Sequence, residues 1–167
     1  MDITQQLVRE YFDYLPGGRL KWIKSLNFRA PVGKIVAEWN CANRQNVQFF
    51  KRKFYVYQLI WIWHNDLIPE GFEIDHIDRD KHNHKIENLR LASKSQNGAN
   101  KAKRPGNYSS KYKGVCKVPS GKWVAVIQVK MKRVHIGTFD TEEQAARAYD
   151  KRAIKLFGQF ALLNFPP

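Results

Sequence analysis

Between Glu73 and Asn97 the chain reads EIDHIDRDKHNHKIENLRLASKSQN, and this segment constrains the fold more than any other. An aspartate is followed directly by a histidine (Asp75, His76), an asparagine stands twelve positions on (Asn88), and another stands nine beyond that (Asn97). Asp75 and His76 read as successive residues of a strand, so their side chains point to opposite faces unless a local twist or bulge turns the backbone. A fold that uses both on one phosphate must supply that bend. The chemistry that suits the set is phosphodiester hydrolysis, which needs an activated water, neutralised charge on the phosphorane and a stabilised leaving oxygen. Histidine titrates near neutrality and suits the first task, while a hard divalent cation held by oxygen ligands suits the others.

The charge of the chain points the same way. A formal net charge of +14, from 29 Lys+Arg against 15 Asp+Glu, implies a polyanionic partner. From Asn88 through Phe139 there is no acidic residue, while Arg90, Lys94, Lys101, Lys103, Arg104, Lys111, Lys113, Lys117, Lys122, Lys130, Lys132 and Arg133 are all basic. A one-sign run of this kind marks an interaction surface rather than a solvated face. Binding that releases counterions from phosphates should weaken steeply as salt rises.

Other classes find less support. Cys41 and Cys116 lie far apart without Cys-x-x-Cys spacing, so neither a disulfide framework nor structural zinc is expected. A reducing compartment fits. No apolar run reaches membrane-spanning length, the opening MDITQQLVRE lacks the regions of a signal peptide, and no basic amphipathic helix favours a membrane surface. A hydrophobic fraction of 43% and an aromatic fraction of 13% favour an ordered chain, and 167 residues allow two small modules.

The opening third reads as short extended pieces around turns. Pro16-Gly17-Gly18 separates YFDYL from RLKWI, and polar residues from Asn43 to Asn46 separate IVAEW from VQFF. Val56 to His64, VYQLIWIWH, is apolar all round and is expected as a helix inside the first module, ending near Asn65-Asp66, with Trp61 and Trp63 as core. KAKRPGNYSSK reads as a basic linker able to lie along a phosphate backbone or minor groove. Three strand candidates follow, Tyr112 to Val118, Lys122 to Lys130 and Arg133 to Phe139. In the second, Trp123, Ala125, Ile127 and Val129 point one way and Lys122, Val124, Val126, Gln128 and Lys130 the other. A helix should then start at Thr141, whose N-cap forms a capping box with Gln144. Ala145, Tyr149, Ala153 and Leu156 share one face of it, and the alanines let it lie close on the Trp123 side of the sheet.

The 73–97 segment resembles the HNH endonuclease family, in the branch where asparagine replaces the last histidine, as in phage intron-encoded homing and nicking enzymes. That resemblance implies a ββα-metal fold with a first strand Ile74-Asp75-His76-Ile77, a loop from Asp80 to Glu87, a second strand Leu89-Arg90-Leu91 and a helix carrying Asn97. It implies His76 as general base, Asp75 and Asn97 as metal ligands, and Asn88 holding the loop and hence the imidazole. The lead-in from LKWI to YVYQLIWIWHNDLIPEGFEIDHID is similar to the family's usual small sheet and helix. The chain departs from many relatives at Arg79, where they have glycine, at His84, where they have asparagine, and at Tyr57-Gln58, where a His-Arg pair is common. Asp80, His82 and His84 are read as plain loop residues.

Residues Lys111 to Phe165 resemble the ethylene-response-factor (Apetala-type) DNA-binding domain through YKGV, GKWVAVI, HIGTFDTEEQAARAYDKRAIKLFG and LNF. In that family a three-stranded sheet enters the major groove and a helix buttresses its back. Here Lys113, Gln128, Lys130, Arg133 and His135 would face DNA, with Arg133 and Gln128 as base readers and the other lysines positioning the duplex. Cys116, Ser120 and His135 replace base-reading residues of the plant proteins, so their recognition sequence does not transfer.

The expected fold is α+β, a ββα-metal (His-Me) nuclease module followed by a small three-stranded antiparallel sheet packed on one helix. The expected boundaries are 1–100 for the nuclease module, 101–111 for the linker and 112–167 for the reader. The expected function is a metal-dependent, site-recognising homing-type nickase with His76 and Asn88 as catalytic residues and one Mg²⁺ or Mn²⁺ on Asp75 and Asn97. Its partner would be double-stranded DNA, bound as a monomer through Arg90, Lys94, Lys101, Lys103, Arg104, Lys113, Lys117, Lys122, Gln128, Lys130, Arg133 and His135, in the cytoplasm of a bacterial host if phage-encoded. The rivals are a DNA-binding regulator with an inactive nuclease module and, less favoured by a sheet suited to the B-form groove, an RNA-directed protein.

Overall fold

A computed structural model describes residues 3–28, 30–36, 46–130 and 132–166. Cys41 and most of the turn expected at 43–46 lie outside these. The chain forms two compact units that meet in sequence between Ala92 and Ser93.

The first unit opens on a helix, α1 (Gln5–Tyr11), where an extended piece was expected. Thr4 caps it by accepting the Leu7 amide hydrogen at 3.1 Å, and Val8 is fully buried. Two hairpins follow, β1 (Phe12–Leu15) with β2 (Arg19–Trp22) and β3 (Asn46–Phe49) with β4 (Arg52–Tyr55), both antiparallel. The apolar run forms α2 (Val56–His64), ended by Asn65 as expected. Val56, Leu59, Ile60 and Ile62 are buried in one core with Phe12, Leu20, Trp22 and Phe49, and Trp61 and Trp63 pack against it. Trp63 Nε1 donates to the Phe12 carbonyl at 3.0 Å, which satisfies the one polar atom of a largely apolar ring.

The same core receives Ile74 and Leu89. They belong to the paired strands β5 (Phe72–His76) and β6 (Leu89–Ser93), with a short 3₁₀ turn at Ile86–Asn88 before the second strand. The ββ part of the expected nuclease fold is thus present.

The second unit begins with α3 (Lys94–Asn100), capped by Ser93 and Gln96 in a capping box. A three-stranded antiparallel sheet follows in the order β7 (Val115–Lys117), β8 (Trp123–Val129), β9 (Lys132–Phe139). Helix α4 (Glu142–Phe157) packs on it, with Thr141 and Gln144 forming the expected capping box. Ala125 and Ile127 are buried with Ala145, Ala146, Tyr149 and Ala153, the small alanines allowing close approach. A register shift between Ala125 and Val126 marks a bulge. Gly114 is needed at its position: its φ is +73, and a Cβ there would run into the Tyr149 ring.

Residues 101–111, expected as a linker, are held onto this second unit. Ser110 is buried and its hydroxyl donates to Glu142 Oε1 at 2.6 Å, while the Lys103 ammonium donates to the carbonyls of Ser110 and Tyr112. Helix α3 also belongs here rather than with residues 1–92. Ala99 is part of the second core, and its carbonyl accepts from the Leu162 amide at 3.2 Å.

Candidate active site and nucleic-acid interface

In the first unit the expected residues cluster at the end of β5. Asp75 is 5% exposed and His76 8%, so both successive side chains of the strand are buried. They engage different partners. Asp75 Oδ2 accepts from Arg90 Nε at 2.9 Å and Nη2 at 2.8 Å, across the paired strands. His76 Nε2 lies 3.1 Å from His84 Nδ1, and its ring meets that of Tyr57 edge-on with centroids 5.1 Å apart.

Asn88 organises the loop. Its Oδ1 accepts from the Asp78 amide at 3.0 Å, and its Nδ2 donates to Asp78 Oδ1 at 2.8 Å and to the Asn83 carbonyl at 2.8 Å. The Ile77 amide donates to the Asn88 carbonyl at 2.9 Å, tying the strand end to the turn. Burial alone would raise the Asp78 carboxyl, but hydrogen bonds from Asn83, Asn88 and the Asp80 amide hold it below its ordinary value. His76 and His84 are both lowered, chiefly by burial, and His84 falls to about 4 with help from the neighbouring His76 and His82. Both rings are therefore neutral near pH 7, the form a general base requires.

Asp80 and His82 are exposed, as loop residues should be, but His84 is not. At 2% exposure it lies under the loop rather than on it. Asp78, Tyr57 and His84 are the site residues that sequence reasoning passed over. For His84 and Tyr57 the available signal was their departure from the family pattern.

Asn97 lies on α3 in the second unit and is half-buried. The proposed metal donors, a carboxylate and an amide oxygen, are hard oxygen ligands of the kind Mg²⁺ and Mn²⁺ take. The Arg90 hydrogen bonds on Asp75 are the outer support a ligating carboxylate needs.

On the second unit, Lys94, Lys101, Arg104, Lys117, Lys122, Gln128, Lys130, Arg133 and His135 are exposed. Gln128 pairs with Arg133 across β8 and β9, so the two expected base readers are neighbours. Three expected DNA contacts are committed elsewhere. Arg90 pairs with Asp75, Lys103 turns inward to Ser110 and Tyr112, and the Lys113 ammonium donates to the carbonyls of Ala99 and Lys101. In each case a local carbonyl or carboxylate takes up the cation's donors.

Among the described residues no helix is long and apolar enough to cross a membrane. The HNH endonuclease family profile matches residues 54–99, and the AP2 domain profile matches residues 110–159. An uncharacterized HNH endonuclease, L560, of Acanthamoeba polyphaga mimivirus is 43% identical over 98 residues, 58% of this chain and 49% of that protein. An AP2/ERF and B3 domain-containing protein of Oryza sativa subsp. japonica is 52% identical over 58 residues, 35% of this chain and 16% of that protein. Dehydration-responsive element-binding protein 2D of Arabidopsis thaliana is 50% identical over 64 residues, 37% of this chain and 31% of that protein. The chain thus spans half or less of these relatives' lengths. Residues 54–99 are thus similar to HNH endonucleases and residues 110–159 to AP2 domains, in line with the α+β elements of the two units.

Proposed function

We propose that the protein is a site-recognising DNA endonuclease that nicks duplex DNA, with His76 as general base and one Mg²⁺ or Mn²⁺ as cofactor. The observation that carries this reading is a buried His76 on a strand whose following loop is locked by the three side-chain bonds of Asn88. His76 takes a proton from the attacking water, and Asn88 keeps the loop that shapes its surroundings from drifting. Asp75 and Asn97 would hold the cation, which when bound neutralises the scissile phosphate and the leaving oxygen. The AP2 unit supplies binding: its exposed lysines position the duplex, and Arg133 and Gln128 read guanine and adenine edges. One such site in a monomer cuts one strand, the behaviour of a homing-type nickase.

Supercoiled DNA bearing a selected site, incubated with Mg²⁺ or Mn²⁺, should be converted to the open-circular form. His76→Ala should lose about 10² to 10⁴ in rate with binding retained. The rival reading of an inactive DNA-binding regulator draws on Asp75, whose carboxylate is already compensated by Arg90. It prevails if the wild type binds one site tightly and never cuts with any divalent cation.

A further inference from the structure

Two buried imidazoles meet in the loop between β5 and β6. His76 Nε2 and His84 Nδ1 are 3.1 Å apart, a distance at which one proton must lie between the nitrogens. Two bare lone pairs would repel, and two N–H groups would collide. Tyr57 flanks both rings, with centroids 5.1 Å from His76 and 5.8 Å from His84.

His84 is also held from behind. Gly18, at φ +77 in the turn between β1 and β2, lies so close that a Cβ there would run into the backbone of His84 and Lys85. The Ile86 amide donates to the Tyr14 hydroxyl at 3.4 Å, so the first hairpin braces the segment on both sides. Yet the far nitrogen of His84, Nε2, is buried without a hydrogen-bond partner. Such orphaned polar atoms destabilise a fold and are rare in cores. An unpaid structural cost at one residue, beside the residue that does the chemistry, is the pattern of a functional constraint.

We propose that His84 is a positioning residue for the general base: its Nδ1 accepts the His76 Nε2–H, which places the reactive lone pair of His76 on Nδ1. The kinetic consequence rests on the nuclease reading above; the tautomer does not. When His76 Nδ1 takes the proton of the attacking water, the ring becomes an imidazolium and the Nε2–H to His84 bond becomes charge-assisted, which stabilises that state. The hydroxide left behind attacks phosphorus as the opposite P–O bond to the sugar breaks, and the leaving sugar oxygen takes its proton from solvent. In the reverse arrangement a His84 N–H would occupy His76 Nε2, and proton uptake there would require His84 to move its own proton first.

The test uses full-length protein labelled with ¹⁵N at histidine and free of metal. Long-range ¹H–¹⁵N spectra should place the proton of neutral His76 on Nε2 in the wild type and in His84→Asn, whose amide oxygen can accept the same hydrogen. His84→Phe should give a mixture of tautomers. On supercoiled DNA His84→Phe should lower kcat about 10- to 100-fold at unchanged KM, and His84→Asn should recover part of that loss. Neither variant should be less stable than wild type if the orphaned nitrogen is the cost of function. A proton on His76 Nδ1 in the wild type overturns the proposal, as does an unchanged tautomer in His84→Phe. Should the phenylalanine variant not fold, wild type and His84→Asn still decide, since both must show the Nε2–H form. A wild type that never cuts defeats the nuclease reading alone, because the spectra stand without catalysis.

Discussion

Asn88 grips Asp78 from two sides, its Oδ1 taking the Asp78 amide hydrogen at 3.0 Å and its Nδ2 donating to the Asp78 carboxylate at 2.8 Å. With the third bond, to the Asn83 carbonyl, one side chain closes the loop that follows His76. Asn88→Ala should therefore cost about 1–2 kcal/mol in urea denaturation, since it removes three part-buried hydrogen bonds. Asn88→Asp should be worse, because it sets a second carboxylate against Asp78. Equal stability of wild type and Asn88→Ala would mean the loop is held by other contacts.

Acid should weaken the fold through His84. Its folded value of about 4 lies below the ordinary 6.5, with burial the main cause, so between those values the unfolded chain holds a proton that the folded chain does not. Stability from this group is complete above pH 6.5 and falls as pH drops towards 4, by up to about 3 kcal/mol. His76 is shifted in the same direction. Denaturation at pH 7 and pH 4.5 should show the loss in wild type and a shallower one in His84→Asn.

Arg79 has a left-handed backbone, φ +69, where many HNH relatives place glycine. A side chain there costs about 1–2 kcal/mol, offset in part by the greater unfolded freedom of glycine. Arg79→Gly should raise stability by roughly 1 kcal/mol, seen as a higher Tm. A lower Tm would show that the arginine side chain makes contacts that outweigh its strain.

Specificity and affinity should separate on the AP2 sheet. Arg133→Ala or Gln128→Ala should relax base preference at one position by about 1–3 kcal/mol in binding to a randomised site library. Lys117→Ala should weaken all sequences alike and reduce the slope of log K against log salt by about 1. Loss of base preference in Lys117→Ala, rather than in the other two, would move the readers to β7.

The parts legible in the sequence are those where pattern and local chemistry agree. β8 alternates, and its buried residues are the ones the alternation picks out; the Thr141–Gln144 box starts α4 as read. α2 ends at Asn65 because the polar pair Asn65-Asp66 breaks the apolar run ahead of Pro69. The rest depends on tertiary contacts that no local pattern carries. α1 is a seven-residue helix, too short to announce itself by periodicity. The bulge at Ala125 and Val126 leaves the alternation intact in sequence while shifting the register. His84 sits among Asp, Lys and Asn and reads as loop, and tertiary contacts with the Gly18 turn, the Tyr57 ring and the His76 ring bury it. The stretch 101–111 has a linker's composition, and its order comes from Ser110 meeting Glu142, 32 residues away.

The last carbonyls of α3 are answered by Lys113 and Leu162, residues that come after the helix in the chain. A protein shortened to stop at Asn100 would keep the whole HNH sequence signature and still lose both supports. Seven residues do not stay helical unaided in water. Excision of the AP2 portion would thus fray the very peptide that bears Asn97, and on the proposed reading, in which Asn97 helps hold the cation, such a fragment would fail as a nuclease for reasons unconnected with DNA recognition.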